Sequence, residues 1–215
     1  MLHFNEIPFK HIIETFYGDA NRPNLFCGSV TKELEYCSNS RIVDFKIILT
    51  DFPDIDFQKL STDQKYLWEI SYAISTGECS RKLELKQPGA MSLSRWINTS
   101  SRFLRLYVST KNPSAKLRKI VTYIMKVYGL FWFKIKKENF CLDEPKHLFW
   151  FMKAMRYLPH NLLKEVNKNI QINGYFAHSE NILPAMLADE KVENRTKAVD
   201  KILQMRQKML SKDEL

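Results

Sequence analysis

Glycine and proline are scarce in this 215-residue chain, with six and eight respectively. So few turn-formers exclude both a disordered chain and a turn-dense β-sandwich. No apolar run of about 18 residues occurs. The most apolar stretch, Val121 to Ile135, carries Lys126 and Lys134, which argues against a membrane span. Cys-x-x-Cys and His-x-x-x-His are both absent. Cys27, Cys37, Cys79 and Cys141 lie far apart, as do His3, His11, His147, His160 and His178. Neither zinc nor a disulfide framework is indicated, and reduced, buried thiols are expected.

The first residues lack the basic and then apolar segments of a secretion signal. Without one, the terminal Lys-Asp-Glu-Leu at Lys212 to Leu215 reads as fortuitous, because its receptor sits in the secretory lumen. The sequons at Asn98 and Asn194 lose their meaning with it. A nuclear or cytoplasmic location is the expectation. No GxGxxG, P-loop, GxSxG or HExxH occurs. Asp51, Asp54 and Asp56 cluster in "TDFPDIDF", but no glycine supplies the tight turn of a calcium loop, so they read as a solvated edge. His147 near Cys141 and His178 beside Ser179 read as structural hydrogen-bonders. The expectation is therefore no catalytic residue, no metal and no cofactor. An enzyme whose site assembles from distant residues has no positive support.

What the chain does have is positive charge in one place. Net charge is +9. Between Glu84 and Glu138 there is no acidic residue and there are twelve basic ones, whereas the rest of the chain holds more acids than bases. Such asymmetry points to an anionic partner, nucleic acid first, although clustering in sequence need not make one face in space.

Most segments have the helical period. "NEIPFKHIIETFYG" predicts a short helix stopped at Gly18, and another is expected around Val30 to Tyr36. "RIVDFKIILTDFPDIDF" is β-branched, aromatic and broken by Pro53, so it reads as extended chain or an edge strand. Ser61 and Gln64 have capping-box spacing, and Leu67, Trp68, Ile70, Ser71 and Ile74 form the apolar face of a helix ending at Gly77. A short helix over 79–86 follows. In "MSLSRWINTSSRFLRLYV", capped by Ser92 or Ser94, the residues Arg95, Asn98, Arg102, Arg105 and Ser109 fall within about 80° of one another, a narrow polar stripe. Trp96, Phe103 and Tyr107 lie opposite. That separation predicts core-facing aromatics and arginines turned to solvent or to phosphate, with no base-stacking platform.

Asn112 and Pro113 are expected to start a helix reaching about Lys137, apolar nearly all round. The segments 144–159, 159–174 and 178–189 are each expected to hold a further helix, the last capped by Ser179. Val192, Ala198, Val199, Ile202, Leu203 and Met205 are expected to form the inner face of the last helix.

"LSTDQKYLWEISYAIS", "PGAMSLSRWINTSSRFLRLYVSTKNPS" and "NGYFAHSENILPAMLAD" together resemble a transposon-related family of invertebrate genomes. "LHFNEIPFKH" resembles the same family where its full-length members have a Cys-x-x-His-like helix. The resemblance runs over roughly 2–206, and the family is distantly similar to hAT-type DNA transposases. Those have an RNase H-like core interrupted by a long all-helical insertion that helps hold DNA and assemble oligomers. The aspartates of the core's early strands have no counterpart here, so no catalytic residue is carried over. The resemblance implies a fragment or degenerate copy made mainly of the insertion.

The resulting expectation is a mainly α, irregular bundle of about seven to nine helices with a short extended or edge-strand segment near 42–57. Residues 1–60 are expected to hold an N-terminal helix and extended segment left from an RNase H-like core. An all-helical domain spans 61–210 and a charged tail 211–215. Non-catalytic, sequence-nonspecific DNA contact is assigned to Arg95, Arg102, Arg105, Lys111, Lys116, Arg118 and Lys119. The alternative is a helical protein-interaction or oligomerisation module that pairs with itself or a related full-length protein. No membrane partner is expected.

Overall fold

In the computed structural model, residues 3–18, 20–22, 25–26, 30–90, 96–138, 151–172 and 179–213 are described. They are mainly helical, as the periodicity predicts. Helix α1 (His3–Tyr17) is followed by a minimal antiparallel ladder of β1 (Ala20–Arg22) and β2 (Leu25–Phe26). Then come α2 (Val30–Tyr36), α3 (Thr62–Thr76), α4 (Arg81–Leu85), α5 (Trp96–Val108) and α6 (Ala115–Tyr123). A π turn (Ile124–Tyr128) joins α6 to α7 (Gly129–Glu138). The last three helices are α8 (His160–Ile172), α9 (Ser179–Leu187) and α10 (Val192–Asp213). Residues 151–155 are also helical. The expected caps at Ser92, Ser94 and Gly174, together with Cys27, Cys141, His147 and His178, lie outside the described residues.

Local chemistry accounts for several boundaries. Gly18 and Gly77 adopt φ of 85° and 83°, the left-handed region in which a side chain is strained. Their N–H groups close the ends of α1 and α3 on Glu14 O and Ala73 O, each at 2.8 Å. At the start of α3, the Gln64 carbonyl accepts the Ser61 N–H at 3.0 Å, the reach-back arm of the capping box. Helix α6 begins later than expected. Ser114, not Asn112, is its cap, because the Ser114 hydroxyl accepts the Leu117 N–H at 3.2 Å. The expected long helix is otherwise continuous through 138, widened at its middle by the π turn. Gly129 permits this, since a Cβ there would lie 3.1 Å from Ile124 O.

Helix α5 lies at the centre. Eleven of its thirteen residues are buried, so it has no solvent face of any width. It packs on α3, α6 and α2, while α1 packs on α8. Phe9 of α1 knits these layers together. Its ring meets Trp96 edge-on at 5.7 Å and stacks on Tyr123 and Tyr128 at 6.1 and 4.6 Å. Each such pair adds about 0.5–1.5 kcal/mol to the burial of the rings themselves. One hydrophobic cluster joins residues before and after Ser61, including Phe9, Leu34, Leu67, Phe103 and Phe133.

Between the turns after α2 and before α3, residues 41–56 form neither helix nor strand, so the edge strand expected as one reading of that segment is not found. The segment acts as a strap across helix ends. The Val43 N–H reaches Val108 O at 2.9 Å, and the Ile48 N–H reaches Ile74 O at 3.2 Å. Thr50 and Ser75 clasp each other: the Thr50 N–H donates to Ser75 Oγ at 3.0 Å, and Ser75 Oγ donates to Thr50 O at 2.9 Å. Tyr107 holds Lys46 O at 2.7 Å through its hydroxyl, and Lys126 holds Leu49 O. Asp51, Asp54 and Asp56 are all exposed, and Asp56 caps a 3₁₀ turn through the Gln58 N–H at 3.0 Å.

The α9–α10 hairpin departs most from expectation. Ala198 is buried, but Val192, Val199 and Leu203 are 61, 45 and 51% exposed rather than inside. Helical spacing alone does not say which of two adjacent apolar stripes finds a partner, and the one bearing small Ala198 approaches α9. Helix α10 also continues to Asp213, into the residues expected to be a charged tail.

Asp189 sets the hairpin's turn. Its carboxylate accepts the Lys191 N–H at 3.0 Å and the Asn194 amide at 2.6 Å. Arg195 holds Asp189 O and Glu190 O at 2.7 and 2.9 Å. The Lys191 N–H first, and then the Asn194 amide, hold the Asp189 carboxyl below its ordinary value of 3.8. A depressed folded-state value means the stabilisation is fully present above the ordinary one and is lost as pH falls through the folded value. Circular dichroism across an acid titration is expected to show hairpin helicity falling below pH 3.8. Asp189→Asn is expected to flatten that limb, and an unchanged limb in the variant contradicts the assignment.

Candidate nucleic-acid interface

The seven cations expected to meet phosphate do not share one environment. Arg95 lies outside the described residues. Arg102 is half-buried and engaged with backbone carbonyls. Its Nε donates to Gly89 O at 2.8 Å, and its Nη1 donates to Leu34 O and Glu35 O at 2.7 and 3.3 Å. The last two are carbonyls of the final turn of α2, which have no partner within the helix. A cation there also complements the negative end of the helix dipole. Leu34 O accepts the Cys37 thiol as well, at 3.1 Å.

Arg105 is buried, with 1% exposure. Its Nη2 donates to Ser40 O at 3.1 Å and to Glu84 O at 2.9 Å. Glu84 O belongs to the last turn of α4, so Arg105 does for α4 what Arg102 does for α2. Asn98, on the same stripe, is buried too and donates to Ala90 O at 3.1 Å. The stripe read as solvent-facing is thus turned inward, onto the backbone of α2, α4 and the segment before α5. Charge in an amphipathic pattern looks exposed, but a guanidinium has five N–H donors in a rigid fork and can serve carbonyls that the local chain leaves bare.

The remaining candidates sit around the turn from α5 into α6. Lys111, Lys116 and Arg118 are exposed, and Lys119 is half-buried. Lys116 lies over the Tyr17 ring at 5.8 Å and Lys119 over Phe16 at 5.3 Å. Lys119 also pairs with Glu165 of α8, and Arg118 donates to Pro113 O. At the start of the basic interval, Lys86 pairs with Glu69 at 2.6 Å. Among the described residues of the seven, those on the surface are a short group, Lys111, Lys116 and Arg118, and form no long track.

Among the described residues no three or more His, Cys, Asp or Glu side chains are placed to hold a metal ion. No described helix is long and apolar enough to cross a membrane. Cys37 and Cys79 are free thiols, and burial pushes both above their usual range. A pocket of about 600 Å³ opens between the turn after α2 and helix α4, and Arg41, Arg81 and Arg105 all line it. Sequence reading does not find this convergence, since the three arginines are separated by helices whose packing brings them together. No protein-family model, curated protein or solved structure matches the chain.

Replacing Arg105 by Lys keeps the charge and loses the fork. Urea unfolding of Arg105→Lys is expected to show a loss of about 2 kcal/mol or more, since buried carbonyls lose their donor. Lys111→Ala is expected to stay within about 0.5 kcal/mol of the parent. Equal, small effects of the two replacements contradict an internal role for Arg105.

Proposed function

We propose that this chain is a non-catalytic helical module that associates with a second copy of itself through α10. The observation that carries the reading is the apolar stripe on that helix. Val192, Val199 and Leu203 stand exposed at spacings of seven and four, the d, d and a positions of a heptad. Charge favours a parallel pair. Glu193 and Asp200 take the e positions, which in a parallel pair face the g positions of the other helix and stay clear of its acidic edge. Antiparallel helices would bring the acidic edges together instead. Thr196 and Arg206 interrupt the seam, which makes the pairing short and weak.

The resemblance to the helical insertion of hAT-type transposases carries two implied roles, assembly and DNA holding, and this reading takes the first. The second is favoured by one observation, the exposure of Lys111, Lys116 and Arg118 around a single turn. It lacks the stripe of α5, whose arginines are engaged with backbone.

Sedimentation equilibrium across a concentration series is expected to give a mass rising from monomer toward dimer. Val199→Glu with Leu203→Glu is expected to hold the chain monomeric while leaving its melting temperature nearly unchanged, because both positions are on the surface. A parent chain that stays monomeric throughout overturns the reading, as does a dimer indifferent to the double replacement. Duplex DNA added to the same samples separates the two roles. DNA holding requires a complex whose affinity falls linearly in log salt with a slope of about three phosphates.

A further inference from the structure

Arg105 presents a problem of physical chemistry that its two carbonyl contacts do not solve. A guanidinium stays charged under all ordinary conditions, and a buried charge without a counterion is costly. Its Nε and Nη1 are buried and have no hydrogen-bond partner among the described residues. No carboxylate forms an ion pair with it among the described residues. Nearby, the Tyr66 hydroxyl is also buried, again without a partner among the described residues. Burial raises the pKa of that phenol, and the Arg105 charge partly offsets the rise.

The pocket of about 600 Å³ beside α4 supplies the missing context. Arg105 is the one buried residue of its lining, and its Nη2 donates to Ser40 O and Glu84 O of two other lining residues. Arg41 and Arg81 line the same pocket, are exposed, and their side chains make no hydrogen bond or ion pair among the described residues. Ser38 lines it too and brings a hydroxyl. The single acidic member, Glu84, directs Oε1 to the Ile42 N–H at 3.4 Å. Three guanidiniums against one carboxylate leave a lining with a net charge of about +2, the complement of a phosphate monoester dianion. The volume exceeds what a bare phosphate fills and lies within the range of small-ligand sites, about 300–1,000 Å³.

We propose that this pocket binds a small phosphate-bearing molecule, its phosphate gripped by Arg41 and Arg81 over the buried charge of Arg105. The site is independent of self-association through α10. Planar guanidinium forks suit phosphate oxygens, and hydroxyl and arginine donors together give orientation. The ligand's remaining atoms would lie along the turn after α2 and the apolar part of Leu85.

The test is a ³¹P NMR titration of the full chain in chloride buffer with inorganic phosphate, with adenosine monophosphate and with duplex DNA. Saturable perturbation of phosphate and of the monophosphate is expected, stronger for the monophosphate. Arg41→Gln combined with Arg81→Gln is expected to weaken both at least tenfold with an unchanged melting temperature, because neither side chain supports the core. Arg105→Lys serves as the second variant and is expected to weaken binding where it folds. No saturable binding of either small probe up to about 10 mM overturns the proposal, since such affinity is below any useful site. Binding that is unaffected by the double variant places the anion elsewhere and also overturns it. Response to duplex alone, lost in the double variant, transfers the pocket to a nucleic-acid backbone and overturns the small-molecule assignment.

Discussion

Every α-helix ends in carbonyl groups that the helix itself leaves unpaired. In this protein the constraint is acute, because glycines, the usual residues for closing a helix C-terminus, number only six. Gly18 and Gly77 close α1 and α3. Other ends are served from a distance. Arg102 reaches the last carbonyls of α2, Arg105 reaches α4, and the Val43 and Ile48 N–H groups of the strap reach α5 and α3. These donors determine where the helices stop relative to one another. They fix the order in which α2, α4 and the strap lie around α5.

The same constraint changes the meaning of the charge distribution. An acid-free, base-rich interval is the usual mark of a polyanion-binding surface. Here part of that charge is consumed inside the fold, where it meets backbone dipoles and no acid. The absence of carboxylates between Glu84 and Glu138 is consistent with this. An acidic neighbour on α5 would compete with the carbonyls for the two guanidiniums. Surface cations remain at the α5–α6 turn, but two of the four there, Lys116 and Lys119, also cover aromatic rings of α1. The dense aromatic packing around Phe9 and the arginine contacts are thus parts of one arrangement that makes α5 a hub. Helix α10 lies outside it, packs mainly on α9, and keeps an apolar stripe uncovered.

Much of the helical framework is legible in the sequence, and the reasons are local. Gly18, Gly77 and the Ser61–Gln64 pair act within one turn of chain, so their spacing carries the information. The inward direction of Trp96, Phe103 and Tyr107 follows from the apolar period of α5. The direction of Arg102 and Arg105 does not follow, because an amphipathic reading assigns charge to water and has no place for a guanidinium bonded to a carbonyl 65 or more residues away. The face of α10 is illegible for a related reason. Val199 and Ala198 belong to neighbouring stripes, and only tertiary packing decides which is covered. The lining of the arginine pocket comes from three separate stretches, around Arg41, Arg81 and Arg105, and no spacing rule connects them.

The central claim is that the two arginines of α5 are internal ties. Solvent exchange of arginine side-chain Nε–H groups, followed by NMR on the labelled chain, tests it at the atoms concerned. The account predicts slow exchange for Arg102, bonded to Gly89 O, and for Arg105, buried, beside fast exchange for exposed Arg118. It also predicts that added duplex DNA leaves the Arg102 and Arg105 signals where they are. Exchange of Arg102 and Arg105 as fast as that of Arg118, with signals that move when DNA is added, would contradict it and return the stripe to the surface.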